Sequence, residues 1–128
     1  MVDYHESWEA LPEEARNVHR ALASLKEEIE AVDWYHQRVV LCQDASLQAV
    51  LAHNRDEEIE HACMTLEWLR RNMPGWDQQL RAYLFSDAPI TDKRVRAAAA
   101  GAASVGAGEA VGSSGLALGV GSLKGSGK

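Results

Sequence analysis

Two glutamates and a histidine occupy positions where helical periodicity predicts apolar side chains. At about 100° per residue, Glu58 points in the same direction as Leu51 and Leu69, and His61 follows it one turn later. Glu28 interrupts a second apolar row in the same way. A carboxylate buried without a partner is strongly destabilising. Each acid alone could be solvated at a helix edge, but two acids and a histidine facing one interface favour a bound cation.

These residue types form half of a known ligand set. Carboxylate-bridged di-iron bundles use a Glu from each of two helices and a Glu-x-x-His pair from each of the other two. This chain offers one interior Glu, Glu28, and one such pair, Glu58 with His61. Two copies would complete the set between subunits. Carboxylate oxygens with a single imidazole suit iron or manganese better than a structural zinc, and Ca, Zn or Mn could substitute for Fe.

Further polar and aromatic residues flank this row on the first helix. Glu27 and Glu30 lie off the core row near Trp34, either as ordinary surface residues or as an acidic patch that attracts metal. Tyr35 shares the direction of Glu28 and either packs or donates a hydrogen bond to a ligand. The pattern assigns no role to three other residues, His36, Cys42 and Cys63.

The elements that carry these residues are helices. Pro12 and the following acids predict a helix start, and an amphipathic pattern runs from there to about Leu41. Asp44 can cap a second helix from Ala45 to about Asn72, which Met73-Pro74-Gly75 ends. A short helix from Trp76 to about Phe85 follows, and no strand signal is found. We predict an all-α fold of two long antiparallel helices plus a short C-terminal helix, completing a four-helix bundle by dimerisation.

Composition divides the chain into three predicted parts. The net charge is −6, and only one acid, Glu109, lies after residue 96. We predict a helical domain at 1–96, an Ala/Gly/Ser-rich linker at 97–114 and a tail at 115–128. In the tail, sparse apolar residues among glycines either dock on another protein or remain an unstructured end. Those residues are Leu116, Leu118, Val120 and Leu123.

The same composition argues against several classes of protein. An acidic domain does not suit a nucleic-acid binder, and no apolar run reaches the roughly 20 residues of a membrane span. The acidic N-terminus lacks the order of a secretory signal, and two cysteines make no disulfide framework. We therefore expect a cytoplasmic protein with reduced thiols.

Several segments together resemble the encapsulated ferritins. The segments are EEIEAVDWYHQRV at 27–39, HNRDEEIEH at 53–61, MTLEWLRR at 64–71, YLF at 83–85 and PIT at 89–91. The likeness covers roughly residues 12–92, in order and with matching spacing. In the tail, LGVGSLKG looks like the cargo-loading peptide that carries such proteins into encapsulin nanocompartments. Ile59 departs from the pattern, which has a charged residue there, but it is not a ligand position.

The resemblance implies a half-ferritin that dimerises and assembles into a ring-shaped decamer of five dimers. It implies a ferroxidase that oxidises Fe²⁺ to Fe³⁺ with O₂ at a di-iron site between two subunits, for mineralisation within an encapsulin shell bound through residues 115–124. Carried over by position, Glu28, Glu58 and His61 are the ligands, and Tyr35 lies close to the irons. The outer entry site is formed by Glu27, Glu30 and Trp34.

Two alternatives stay open at this point. The same bundle could hold a manganese or peroxide-handling di-metal site. Alternatively, the chain could be a non-catalytic helical cargo or scaffold protein whose acids lie on its surface.

Overall fold

A computed structural model describes residues 4–92, 96, 97 and 101 of the chain. After a short 3₁₀ turn at Trp8–Ala10, the chain forms three α-helices. They are α1 at Glu13–Leu41, α2 at Ala45–Asn72 and α3 at Trp76–Tyr83. Within the described residues there is no strand, and no helix is long and apolar enough to cross a bilayer. The all-α prediction is confirmed.

The helix boundaries follow from local chemistry. Pro12 precedes α1 with φ −64°, and Glu13 and Glu14 in the first turn face the positive end of the helix dipole. The side chain of Asp44 accepts a hydrogen bond from the Leu47 backbone N–H, which caps α2 as predicted. Beyond α2, Gly75 adopts φ +100°, a left-handed conformation that glycine allows without strain. These signals lie within a turn of each boundary, so the sequence alone could predict them.

The third helix ends two residues before the predicted boundary. It stops at Tyr83 rather than Phe85 because Phe85 has a φ of 57°, in the left-handed region. A left-handed residue cannot continue a right-handed helix.

The chain divides into two compact units, Met1–Leu80 and Arg81–Lys128. In the first unit, α1 and α2 pack against each other as a hairpin closed by residues 42–44. Near the closed end, the Gln48 side-chain amide donates to the Val39 carbonyl oxygen over 2.8 Å. Leu69 is the one completely buried large side chain among the described residues. The hairpin therefore presents most of its large aliphatic side chains at least partly to solvent.

In the second unit, Arg96 organises the chain that follows α3. Its buried guanidinium donates to the carbonyl oxygens of Ala82, Ala88, Pro89 and Ile90. Five N–H donors in a rigid plane let one arginine satisfy several carbonyls in this way. The residues of the predicted linker at 97–114 and tail at 115–128, apart from 97 and 101, lie outside the described part of the chain.

Candidate metal centre

Glu28 from α1 meets Glu58 and His61 from α2 near mid-length of the hairpin. One ligand atom from each residue lies within 4.8 Å of the other two. His61 Nδ1 is 3.2 Å from Glu58 Oε2 and 3.7 Å from Glu28 Oε2. Within the described residues this is the only group of three or more His, Cys, Asp or Glu side chains with converging ligand atoms. The geometry follows from two helical rows: three residues separate Glu58 from His61, and the antiparallel crossing sets Glu28 opposite both.

Hydrogen bonds within the cluster shift the pKa values of all three residues. A hydrogen bond with Glu58 raises the pKa of Glu28, and burial acts in the same direction. The same hydrogen bond lowers the pKa of Glu58, to which His61 also contributes. The hydrogen bond with Glu58 raises the pKa of His61. The close approach of the two carboxyl groups and the imidazole is the common cause of these opposite shifts.

The cluster opens to one side of the hairpin. The side chains of Glu28 and Glu58 are 27% and 23% exposed, and that of His61 is 46% exposed. A single chain supplies two carboxylates and one imidazole, so it covers only part of the coordination sphere of an iron or manganese ion. Any further ligands would have to come from solvent or from another molecule.

The structure does not bring the other predicted site residues into this cluster. Tyr35 is half-buried, with its ring 5.2 Å below the Arg38 guanidinium, and it makes no hydrogen bond to any described residue. Glu27, Glu30 and Trp34 are exposed on α1. Glu27 is close enough that its charge contributes to the raised pKa of Glu28. The proposed entry patch therefore lies beside the cluster but makes no direct contact with it that the structure records.

A polar bridge between the two helices was not predicted. Arg55 Nη1 is 3.2 Å from His36 Nδ1, so His36 accepts a hydrogen bond from α2. Arg55 also pairs with Asp56 over 3.0 Å. The pairing of His36 with Arg55 depends on how the helices cross, which helical spacing alone does not specify.

Comparison with known proteins assigns the chain to a family. The sequence profile described as EncFtn-like matches residues 3–87. The chain is 53% identical over 124 residues to an "Encapsulated ferritin-like protein" of Rhodospirillum rubrum, covering 94% of this chain and 87% of the relative. It is 64% identical over 93 residues to a "Ferritin-like protein" of Thermotoga maritima, covering 72% of this chain and 82% of the relative.

A solved structure agrees with these sequence matches. The crystal structure of a Nitrosomonas europaea protein superposes with a TM-score of 0.67 at 56% sequence identity. The match covers 69% of this chain and 97% of that one. On the strength of its sequence, its two-helix hairpin and its carboxylate–imidazole cluster, the chain belongs to the EncFtn-like family of encapsulated ferritin-like proteins.

Proposed function

We propose that this protein is a ferroxidase that oxidises Fe²⁺ to Fe³⁺ with O₂ at a di-iron site shared by two copies of the chain. The observation that carries the proposal is the convergence of Glu28, Glu58 and His61 within 4.8 Å. Membership of an encapsulated ferritin-like family supports an iron-related role for that cluster. Ca, Zn or Mn would compete for the same donors.

The carboxylate and imidazole donors of the cluster suit Fe²⁺, the substrate, and stabilise Fe³⁺, the product, more strongly. Two copies supply four carboxylates and two imidazoles, since each copy has two acids and one histidine in the cluster. Ferric iron is smaller and more highly charged than ferrous iron, so anionic oxygen stabilises it more. Each Fe²⁺ gives one electron to O₂, and the site lowers the free energy of the oxidised ion relative to the reduced one.

The individual residues divide this work. Glu58 is best placed to bridge two ions because its carboxylate already contacts partners on both helices. Glu28 and His61 would each hold one ion, and both side chains must be deprotonated to do so. Tyr35 would lie near the irons in the shared site, although in the single chain its ring lies outside the cluster, under the Arg38 guanidinium. Glu27, Glu30 and Trp34 form an outer patch whose charge concentrates Fe²⁺ near the entrance.

Replacing Glu58 tests the proposal directly. Glu58→Gln removes a carboxylate from both halves of a shared site, so we expect Fe²⁺ oxidation to fall to the uncatalysed rate, with helicity unchanged. Absorbance of Fe³⁺ after mixing Fe²⁺ with the protein in air measures the first effect, and circular dichroism the second. Glu60→Gln, two residues away on the exposed face of α2, is the matched control and should keep the wild-type rate.

The alternatives give different results in the same assay. A non-catalytic cargo or scaffold protein would show background oxidation in wild type and variants alike. A manganese or peroxide-handling protein would consume hydrogen peroxide with bound Mn²⁺, while its oxidation of Fe²⁺ in air would stay at background. Either result would contradict the ferroxidase assignment.

We further propose that residues 115–124 dock the protein inside an encapsulin shell in the cytoplasm. The name of the Rhodospirillum rubrum relative and the apolar pattern of the tail support this partner. Truncation after Ser114 is expected to abolish co-purification with a co-expressed shell while leaving iron oxidation intact. Equal loading of full-length and truncated chains would contradict it.

A further inference from the structure

Arg55 is the basic residue of α2 that lies closest to the cluster in the sequence. It precedes Glu58 by three residues, which is about one turn of the helix. An arginine and a glutamate at this spacing are neighbours on the helix surface and commonly form an ion pair. Such a pair would occupy the carboxylate that contacts Glu28 and His61. The direction in which Arg55 points therefore bears on metal binding.

The guanidinium of Arg55 is bound to two partners other than Glu58. Its Nε and Nη2 atoms each lie 3.0 Å from Asp56 Oδ1. Its Nη1 atom donates a hydrogen bond to His36 Nδ1 over 3.2 Å. All three guanidinium nitrogens are thus engaged, and no ion pair joins Arg55 to Glu58 in the part of the chain that the structure describes.

His36 lies on the opposite side of Arg55 from Glu58. In α1, His36 follows Glu28 by eight residues, so it lies roughly 12 Å nearer the closed end of the hairpin. In α2, Glu58 lies one turn from Arg55 in the other direction, towards the open end where α1 begins and α2 ends. The hydrogen bond to His36 therefore holds the guanidinium on the side of Arg55 that faces away from the cluster.

Asp56 alone does not account for this direction. Adjacent residues of a helix point about 100° apart and do not face each other. The side chain of Asp56 is also 62% exposed, so water weakens its attraction for the guanidinium. The bond to His36 supplies a second attachment, and it crosses from one helix to the other. Arginine only donates hydrogen bonds, so His36 Nδ1 is the acceptor.

We propose that His36 and Asp56 hold Arg55 away from Glu58 and so keep the Glu58 carboxylate free for a divalent cation. This inference rests on the proposed metal site. An ion pair with Arg55 would place a positive charge, and charge-assisted hydrogen bonds, on the oxygen atoms that the cation needs. His36 and Asp56 are in this role positioning residues, because they act on the site through Arg55.

The Mn²⁺ affinities of four full-length proteins, measured by titration calorimetry, test the proposal. In His36→Ala the guanidinium loses its attachment on α1, and we expect the affinity to fall at least about threefold, the scale of one exposed ion pair. Arg55→Gln removes the competing charge, so its affinity should equal or exceed that of wild type. The double variant should regain the affinity that His36→Ala lost, to within about twofold of wild type.

The double variant distinguishes this role from a merely structural one. If the bond between Arg55 and His36 only stabilised the crossing of the two helices, Arg55→Gln would weaken Mn²⁺ binding as much as His36→Ala, and the double variant would show no recovery. That result would overturn the proposal, as would an unchanged affinity in His36→Ala. In His36→Gln the side-chain carbonyl can still accept a hydrogen bond from Arg55, so this variant should bind Mn²⁺ as wild type does.

Gln37→Ala is the matched control on α1. Gln37 is adjacent to His36, is exposed, and donates a hydrogen bond to Asp33 of the same helix over 3.0 Å. Its truncation removes a polar side chain of α1 and leaves the attachment of Arg55 intact, so the Mn²⁺ affinity should not change. A loss as large as that in His36→Ala would show a general effect of truncating this part of α1 and would contradict the proposal.

A crystal structure of metal-free His36→Ala protein tests the same competition without a metal. We expect a guanidinium nitrogen of Arg55 within about 4 Å of a carboxylate oxygen of Glu58, the separation of an ion pair. If Arg55 remains on Asp56 alone and makes no contact with Glu58, His36 is not what keeps the two side chains apart, and the proposal is wrong.

The role of His36 and the ferroxidase assignment fail separately. If wild-type protein oxidises Fe²⁺ only at the background rate, the ferroxidase assignment is lost, while recovery of Mn²⁺ affinity in the double variant still establishes the role of His36. If Fe²⁺ oxidation is catalysed but the double variant shows no recovery, the role of His36 is lost and the ferroxidase assignment stands.

Discussion

At the scale of single residues, hydrogen bonds link the members of the cluster. Glu28 and Glu58 are hydrogen-bonded to each other, and His61 Nδ1 lies 3.2 Å from Glu58 Oε2. This arrangement lets two acids lie close together on a partly buried face without the full repulsion of two negative charges. A divalent cation removes that repulsion too, so the cation and the protons compete for the same oxygen and nitrogen atoms.

Metal binding should therefore release protons, and its affinity should rise with pH. The pKa values of Glu28 and His61 are both raised, so these groups retain protons to higher pH than free side chains and must lose them to bind an ion. Titration calorimetry with Mn²⁺ in two buffers of different ionisation enthalpy counts the released protons. Wild type and Glu60→Gln should release them, and Glu58→Gln should bind too weakly to measure. An affinity for Mn²⁺ that does not change with pH would contradict this prediction.

At the scale of elements, the junction of α2 with α3 is fixed by charge. Arg70 pairs with Glu67 over 2.7 Å and with Asp77, at the start of α3, over 2.6 Å. Arg71 adds a contact to Glu67 over 3.0 Å. The two arginines also lie in the last turn of α2, where they face the negative end of the helix dipole. Arg70, held by Glu67, therefore links the last turn of α2 to the start of α3.

The contribution of Glu67 to stability should disappear in acid. Its two arginine partners, Arg70 first, lower the pKa of Glu67 to about 2 from an ordinary value of 4.5. A lowered pKa stabilises the fold above the unfolded-state value, and the effect is lost as pH falls from 4.5 towards 2. The free energy of unfolding of wild type should exceed that of Glu67→Gln at pH 7, and the difference should shrink as pH falls from 4.5 through about 2. Urea unfolding followed by circular dichroism measures both, and a difference that stays constant from pH 7 down to pH 2 would count against the pairing.

At the scale of the whole molecule, a single copy lacks an adequate core. Among the described residues, only Leu69 and Ala82 are buried hydrophobic side chains. Val40 and Leu41 at the hairpin tip are 64% and 81% exposed. Helical hairpins resolve this shortage by pairing into four-helix arrangements. Pairing with another copy, as in the proposed shared site, would cover both the cluster and the exposed apolar surface.

Metal and assembly should consequently be linked. An ion that binds only the paired form stabilises that form by mass action, by about 2.7 kcal/mol at a hundredfold excess over its dissociation constant. Native mass spectrometry of full-length protein, with and without anaerobic Fe²⁺, should show a shift from monomer to dimer and larger rings, among them the expected decamer.

Glu58→Gln provides the control for that experiment. It removes one proposed ligand and leaves the exposed apolar surface of the hairpin unchanged, so assembly of this variant should respond less to Fe²⁺ than that of wild type. An oligomer distribution that is the same with and without Fe²⁺ in wild-type protein would contradict the linkage.

The features that could be predicted from the sequence depend on residues that lie close together in the chain. Proline, an N-cap aspartate and glycine mark helix ends within a turn of where they act, so the bounds of α1 and α2 were predictable from composition and spacing. The identities of Glu28, Glu58 and His61 were predictable too, because a polar residue in an apolar helical row stands out at 100° per residue.

Contacts between residues far apart in the sequence were decided by the tertiary structure. Three features require the crossing of two helices: the 3.7 Å approach of His61 to Glu28, the bridge from Arg55 to His36, and the apolar groove lined by Leu41 and Leu51. The outward ring of Phe85 depends on a backbone angle next to carbonyls bound by Arg96. Helical spacing is set by backbone hydrogen bonds a few residues apart, whereas these contacts join residues up to 33 positions apart, and no local rule specifies which of many packings brings them together.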